Sequence, residues 1–275
     1  MEWFMACISR GYFEVINPFN RRMRKVSSTL QDVHTIVFWS KNFDFFMAGG
    51  YGERLEKMGY HLFFNYTLNS ISPLLEPQMP PLVDRLAQMT RLCKRFDVRA
   101  INWRFDPICF FRIGNRSVQN NLDDFSVIAD KAATAGIQHC ITSFVDLYPK
   151  VIRRAKNETG FAFVDPGTVE KIDTITELYH ILMERNIALQ LCCEKEILSL
   201  LPLDIHVRPG SCIPSERIMN IYGGHLSLRQ DPGQRKKLGC TCKVSVDIGS
   251  YDQQPCYHNC LFCYANPSSK ESLRP

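Results

Sequence analysis

The sequence predicts an α/β chain in which repeated βα units build a parallel sheet. Three observations carry that expectation. Five runs of β-branched, aromatic and aliphatic residues recur along the chain, each of strand length. The stretches between them are long enough for crossover helices, and several show apolar positions at helical spacing. A chain of 275 residues that is 45% hydrophobic can also bury one sizeable core, without internal repeats or low-complexity tracts.

Residues 1–13 pattern as an amphipathic helix with Trp3, Phe4, Cys7 and Ile8 apolar, ending near Gly11. A strand is expected ahead of such a helix, and none precedes it. The basic, turn-rich stretch 17–25 reads as a solvated loop, since its four cations fall short of the many phosphate contacts of nucleic-acid binding. Thr35–Ser40 is the first strand, and 43–58 is helical with Gly49, Gly50 and Gly52 breaking its middle. The second strand is 61–67. A turn through Pro73, Pro77, Pro80 and Pro81 leads to a helix over 82–96, and the third strand, 99–106, stops at Pro107. Ser117 is read as the cap of a helix reaching Ala135, with Gly136 at its end. The fourth strand is 139–146. Helical material on both sides of 164–167 leads to the fifth, 187–194, where strand alternation sends the Cys192 and Cys193 side chains to opposite faces as packing residues. Residues 200–210 read as loop, Ser215 as the cap of a helix to Tyr222, and 229–239 as a polar arm.

Closed barrels and open parallel sheets both bind ligands at the carboxyl ends of their strands. Those ends are polar here: Ser40 and Lys41, Asn65 and Thr67, Arg104 and Asp106, Ser143 and Asp146, and Glu194. Any one of them alone reads as a cap or loop residue; the succession points to a site. The expected architecture is a partial or full TIM-like barrel over residues 1–228, with 229–275 a Cys-rich tail packed on the same domain. Lys41, Asn65, Arg104, Asp106, Asp146 and Glu194 are expected to line the cavity and bind a cofactor. Arg104 and Asp106 share a strand face, and pairing with each other is the plain alternative.

A net charge of +5 is mildly basic, so nucleic acid is permitted as a partner but not indicated. The start lacks a secretory pattern, and no stretch approaches the roughly 18 apolar residues of a membrane span. The expectation is a cytoplasmic chain with reduced thiols and no membrane partner. Of twelve cysteines, Cys240, Cys242, Cys256, Cys260 and Cys263 crowd near the end. Cys256, Cys260 and Cys263, spaced three and then two residues apart, can meet three irons of a [4Fe-4S] cluster, which usually takes four thiolates. The remaining iron is open to the amine and carboxylate of S-adenosylmethionine. Cys240 and Cys242 make half a metal site; with two of the triplet they would complete a structural zinc or a four-thiolate cluster instead. His258 suits a hydrogen bond to a cluster sulfur or to backbone.

The triplet with Phe262 before its last cysteine is similar to the cluster motif of the radical S-adenosylmethionine superfamily, where the motif lies near the N-terminus. The whole chain resembles the proteins described as domain of unknown function 1848, through Asn17-Pro-Phe-Asn20, Ile36-Val-Phe-Trp-Ser-Lys-Asn42, Trp103-Arg-Phe-Asp-Pro107, Ser143-Phe-Val-Asp-Leu-Tyr148, Asp247-Ile-Gly-Ser-Tyr251 and the closing triplet to Asn266. Family members usually begin with a further strand and Arg-rich loop, so a truncated start is expected. The resemblance implies an iron-sulfur enzyme in which one electron, from a donor such as a flavodoxin or ferredoxin, cleaves S-adenosylmethionine to a 5′-deoxyadenosyl radical. Its substrate, small or macromolecular, is not legible. The competing reading is a non-enzymatic, zinc- or cluster-stabilised binding protein, docking nucleic acid through its basic loops. The enzyme reading places the triplet near Asp106 and Glu194, on the side of the strands' carboxyl ends.

Overall fold

The computed structural model describes residues 1–16, 22–250 and 253–265. Helix α1 (Glu2–Arg10) stops at Gly11, whose φ of 87° favours glycine. Strands β1 (Tyr12–Ile16) and β2 (Met23–Ser27) then pair as an antiparallel hairpin. The expected helix is therefore shorter, and part of the expected basic loop is strand. The alternation of Tyr12, Phe13, Glu14 and Val15 suits a half-buried strand. Arg10 and Lys25 stand over the Tyr12 ring at 4.2 and 4.4 Å from its centroid, so the hairpin takes up two of the cations of this region. Residues 17–20 of the family-like pattern lie outside the described residues.

The main sheet follows. In chain order come β3 (Thr35–Ser40), α2 (Asp44–Ala48), α3 (Tyr51–Lys57), β4 (His61–Thr67), α4 (Leu82–Arg95) and β5 (Ile101–Ile108). After β6 (Phe110–Ile113), β7 (Gln119–Asn120) and α5 (Phe125–Thr134) come β8 (His139–Phe144), α6 (Pro149–Ala155), β9 (Phe161–Val164) and α7 (Thr168–Met183). The series ends with β10 (Ala188–Leu191), α8 (Lys195–Leu200), β11 (Arg208–Pro209) and α9 (Ser215–Tyr222). Strands β11, β10, β8, β5, β4 and β3 lie in that order in one six-stranded sheet, with parallel pairing throughout. Strands β7, β6 and β9 form a separate antiparallel sheet at the end of β5 and β8. The helix expected from Ser117 is thus shorter, and its start is the short strand β7. The third strand also runs past Pro107 to Ile108.

Each face of the six-stranded sheet is covered. On one, Phe43, Phe46, Phe64, Tyr66, Phe96, Trp103, Phe105 and Phe125 interlock with α2, α4 and α5 in the largest core cluster. Fully burying an aromatic or aliphatic side chain is worth roughly 1.5–3 kcal/mol. On the other, α9 packs Ile218 onto Phe63 and Ala100, and Tyr222 stacks on His61 with ring centroids 4.4 Å apart.

The sheet does not close into a barrel. Its edges are β3 and β11, and β11 holds two residues, one of them Pro209, which has no N–H to offer a further strand. Beyond Leu191 the chain supplies α9 and the segment around Cys212 to the face that a closed barrel would turn inward. Asn65 Nδ2 donates to the Cys212 carbonyl at 3.0 Å and so ties that segment down. Among the described residues no helix is long and apolar enough to cross a membrane.

Candidate functional site

The carboxyl ends of β3, β4, β5 and β8 carry one connected set of charged and amide side chains. Lys41 follows β3 and donates to Glu76 Oε1 at 2.6 Å. Glu76 is buried in the proline-rich turn, where Asn69 Nδ2 also reaches Oε1 at 3.1 Å and Arg85 Nη1 stands 3.8 Å from Oε2. Asn69 spans to β5, accepting from the Asp106 N–H at 2.8 Å and donating to the Asp106 carbonyl at 3.1 Å. The Asp106 carboxylate accepts from Ser143 Oγ at 2.6 Å, and its other oxygen pairs with Arg104.

Burial works against every charge here, and partners decide the outcome. Burial would lift the Asp106 carboxyl, but Arg104, the Ser143 hydroxyl and Lys41 outweigh it and hold it below the ordinary value. Burial would lower Lys41, yet Glu76, Cys260 and Asp106 keep it above its ordinary value. Although buried, Arg85 Nε and Nη2, Glu76 Oε2 and Arg104 Nε find no hydrogen-bond partner. A cleft lined by Ser72, Glu76, Pro77, Met79 and Arg85 lies beside the Glu76 and Arg85 groups.

The cysteine loop seats on this rim. Leu261 N–H donates to the Leu75 carbonyl at 2.8 Å, next in sequence to Glu76. Cys260, Leu261 and Phe262 are buried with Leu75, Cys109, Phe111, Ala155 and Phe161. From α6, Arg154 donates to the carbonyls of Cys260, Leu261 and Cys263 at 2.8, 3.1 and 2.6 Å. The Lys41 ammonium lies 5.3 Å from the Phe262 ring centroid. Asn259 takes the left-handed φ of 53° that turns the loop. Burial pushes the Cys260 thiol up to about 12 and also raises Cys256, while it lowers His258. Among the described residues no three or more His, Cys, Asp or Glu side chains stand in metal-binding geometry.

The six rim residues named from sequence divide. Lys41, Arg104 and Asp106 join the network beside the triplet. Asn65 is fully buried, accepts from Asn102 Nδ2 at 2.9 Å and anchors the Cys212 segment, so its amide is spent on the sheet's covered face. Asp146 pairs with Arg235 of the polar arm. Glu194 accepts the Phe144 N–H at 2.9 Å, and burial, stronger than that bond, pushes its carboxyl up to about 7. The charges of Lys171, Asp146 and Arg235 act on Glu194, which follows β10, across β8 from β3 and Lys41.

Sequence reasoning missed Asn69, Glu76, Arg85, Cys109 and Arg154. A lone carboxylate inside a turn of four prolines was the available signal for Glu76; the others had none. Cys240 and Cys242 sit away from the triplet, in a buried cluster with Cys192, Cys193 and Cys212. Cys192 and Cys193 also depart from strand alternation: β10 ends at Leu191 and Cys193 is left-handed at φ 62°, so their sulfurs come within 3.7 Å of each other.

The sequence model of a family described as "Domain of unknown function (DUF1848)" matches residues 1–265. No curated protein matches the chain. Six chains of solved structures match, among them the TTHB071 protein from Thermus thermophilus, soaked with ZnCl2. That match has 15% identity and a TM-score of 0.30, covering 58% of this chain and 55% of the other.

Proposed function

We propose, for a chain that belongs to the DUF1848 family, an iron-sulfur enzyme that binds S-adenosylmethionine at the carboxyl ends of β3 and β5. Cys256, Cys260 and Cys263 would hold a [4Fe-4S] cluster. The observation that carries this reading is the seat of the triplet loop, pinned by Arg154 and Leu75 beside Lys41, Glu76 and Asp106. The donor set fits: three thiols on one short loop suit three irons. A bound cluster with S-adenosylmethionine supplies one-electron cleavage of the cofactor, fed by an external donor of the flavodoxin or ferredoxin class.

The protein's own side chains have separable tasks under this reading. Arg154 holds the loop by three carbonyls and, with Lys41, offsets the negative charge of bound thiolates. Leu261, Phe262 and Phe111 exclude water behind Cys260. The unpartnered N–H groups of Arg85 and the Lys41 ammonium suit a carboxylate, and Asp106 suits an amine or hydroxyl. Asp146 and Glu194, further along the rim, are left to the substrate.

The test is anaerobic reconstitution with iron and sulfide, read by metal content and by the electron paramagnetic resonance of the reduced protein. Four irons per chain, a signal that shifts on adding S-adenosylmethionine, and loss of both in Cys260→Ala are expected. Iron content indifferent to Cys260→Ala, or a signal that ignores S-adenosylmethionine, would overturn the proposal.

A further inference from the structure

The second thiol cluster lies at the end of β10 and has an order of its own. Cys192 meets Cys193 and Cys212, Cys212 meets Cys242, Cys242 meets Cys240, and Cys240 returns to Cys193. Five thiols from three separate stretches thus close a ring. The Cys212 N–H donates to Cys242 Sγ at 3.2 Å, and Arg104 Nη1 donates to Cys212 Sγ at 2.8 Å. Two straps hold the stretches together: Thr241 Oγ1 to the Gly210 carbonyl at 2.7 Å, and the Lys243 N–H to the Ile213 carbonyl at 3.2 Å.

Small buried hydrophobes need no such convergence, and all five cysteines are free thiols. A left-handed residue other than glycine is strained and persists where its surroundings over-determine it. At Cys193 that conformation sets two adjacent thiols side by side, 3.7 Å apart. That is close to the edge, roughly 3.8 Å, of a tetrahedron of sulfurs around zinc with bonds of about 2.3 Å. The donors are all sulfur, which selects thiophilic ions over hard ones.

We infer that Cys192, Cys193, Cys212, Cys240 and Cys242 form a second metal centre, separate from the C-terminal triplet, in which four of the five thiolates take one zinc-class divalent ion. Each ligating thiol releases its proton to solvent, so four thiolates and a dication leave a net charge of −2. Arg104 at Cys212 and Arg235 near Cys193 face that charge. Binding draws the sulfurs inward from thiol–thiol contact, since the ring without metal is not yet in ligating geometry. The centre ties the end of β10, the Cys212 segment and the start of the tail into one unit, from which the remaining tail reaches the rim.

The test uses the full-length chain with Cys256, Cys260 and Cys263 all replaced by Ala, reduced under argon and titrated with ZnCl2 or CoCl2. One zinc per chain, release of about four protons, and the thiolate-to-cobalt charge-transfer band of a tetrahedral site are expected. Cys193→Ser should keep one zinc, because four thiols remain. The double replacement Cys212→Ser with Cys242→Ser should lose it. A second measurement leaves the ring unmutated: ZnCl2 should protect four of its thiols from alkylation, as read by mass spectrometry. The inference is overturned by no bound zinc, by zinc that survives the double replacement, by alkylation that zinc does not slow, or by iron and sulfide in place of one divalent ion. Failure of the triplet to bind iron would leave this zinc count unchanged, so the two proposals fail separately.

Discussion

His139 opens β8 with its Nδ1 3.4 Å from Gln190 Nε2. Burial first, and then the charge of Arg217, disfavours the imidazolium and pushes its pKa down to about 4 from an ordinary 6.5. The unfolded chain therefore binds more protons between those values, so the group favours folding above pH 6.5 and loses that contribution as the pH falls toward 4. Denaturant unfolding followed between pH 7 and 4 should show His139→Gln losing less stability than the wild type. The difference should be about 1–2 kcal/mol once solvent screening at a partly exposed ring is allowed for. The reason this residue was not singled out from sequence is general: a histidine at the start of an apolar strand reveals its period but not the guanidinium of α9 beside it. Asn69 was hidden likewise, since its partner Asp106 is brought to it by the order of the strands.

Among the elements, the break between α2 and α3 is where local sequence spoke most clearly. Gly49 and Gly50 interrupt the helical pattern, and Gly50 takes φ 59°. Gly52 has a different task. A Cβ there would sit 2.2 Å from Phe96 Cζ and 3.0 Å from Phe46 Cε1, both in the main core. Gly52→Ala should cost about 1–2 kcal/mol, overpacking outweighing the better helix propensity of alanine. Gly167→Ala, with nothing within 4 Å, should stay within about 0.5 kcal/mol. Thermal unfolding of both variants checks the contrast. The strands read from continuous apolar runs emerge as strands because both faces of the sheet are covered. The hairpin β1–β2 and the sheet of β6, β7 and β9 are not legible in the sequence, because their strands hold only two to five residues and owe their pairing to neighbours.

For the molecule as a whole, the fold brings the tail over the rim, and Arg154 is the cation that clamps it there. Arg154→Ala should remove roughly 2 kcal/mol of docking free energy, allowing for a side chain that is only partly buried. The Leu261 amide, bonded to Leu75, should then exchange hydrogen ~30-fold faster, while amides of β5 keep their protection. Unchanged exchange at Leu261 would show that Leu75 and the apolar contacts alone hold the loop. The open sheet follows from the same economy of chain: after β10 the described residues add to the sheet only the two-residue strand β11, and otherwise cover a face and carry cysteines.

Sequence alone established the α/β class and the parallel order of the βα repeats, and the motifs spread from Asn17 to the closing triplet carried the resemblance to the family. Those properties depend on periodicity, turn residues and spacing, which are local and survive in one dimension. Contacts across the fold decided the rest. They left the sheet open, spent Asn65 on the Cys212 segment, joined Lys41 to Glu76, and parted the tail cysteines into a loop on the rim and a ring at β10. Each of these rests on a pairing between residues far apart in the chain, and such pairings exist only once packing has brought their elements together.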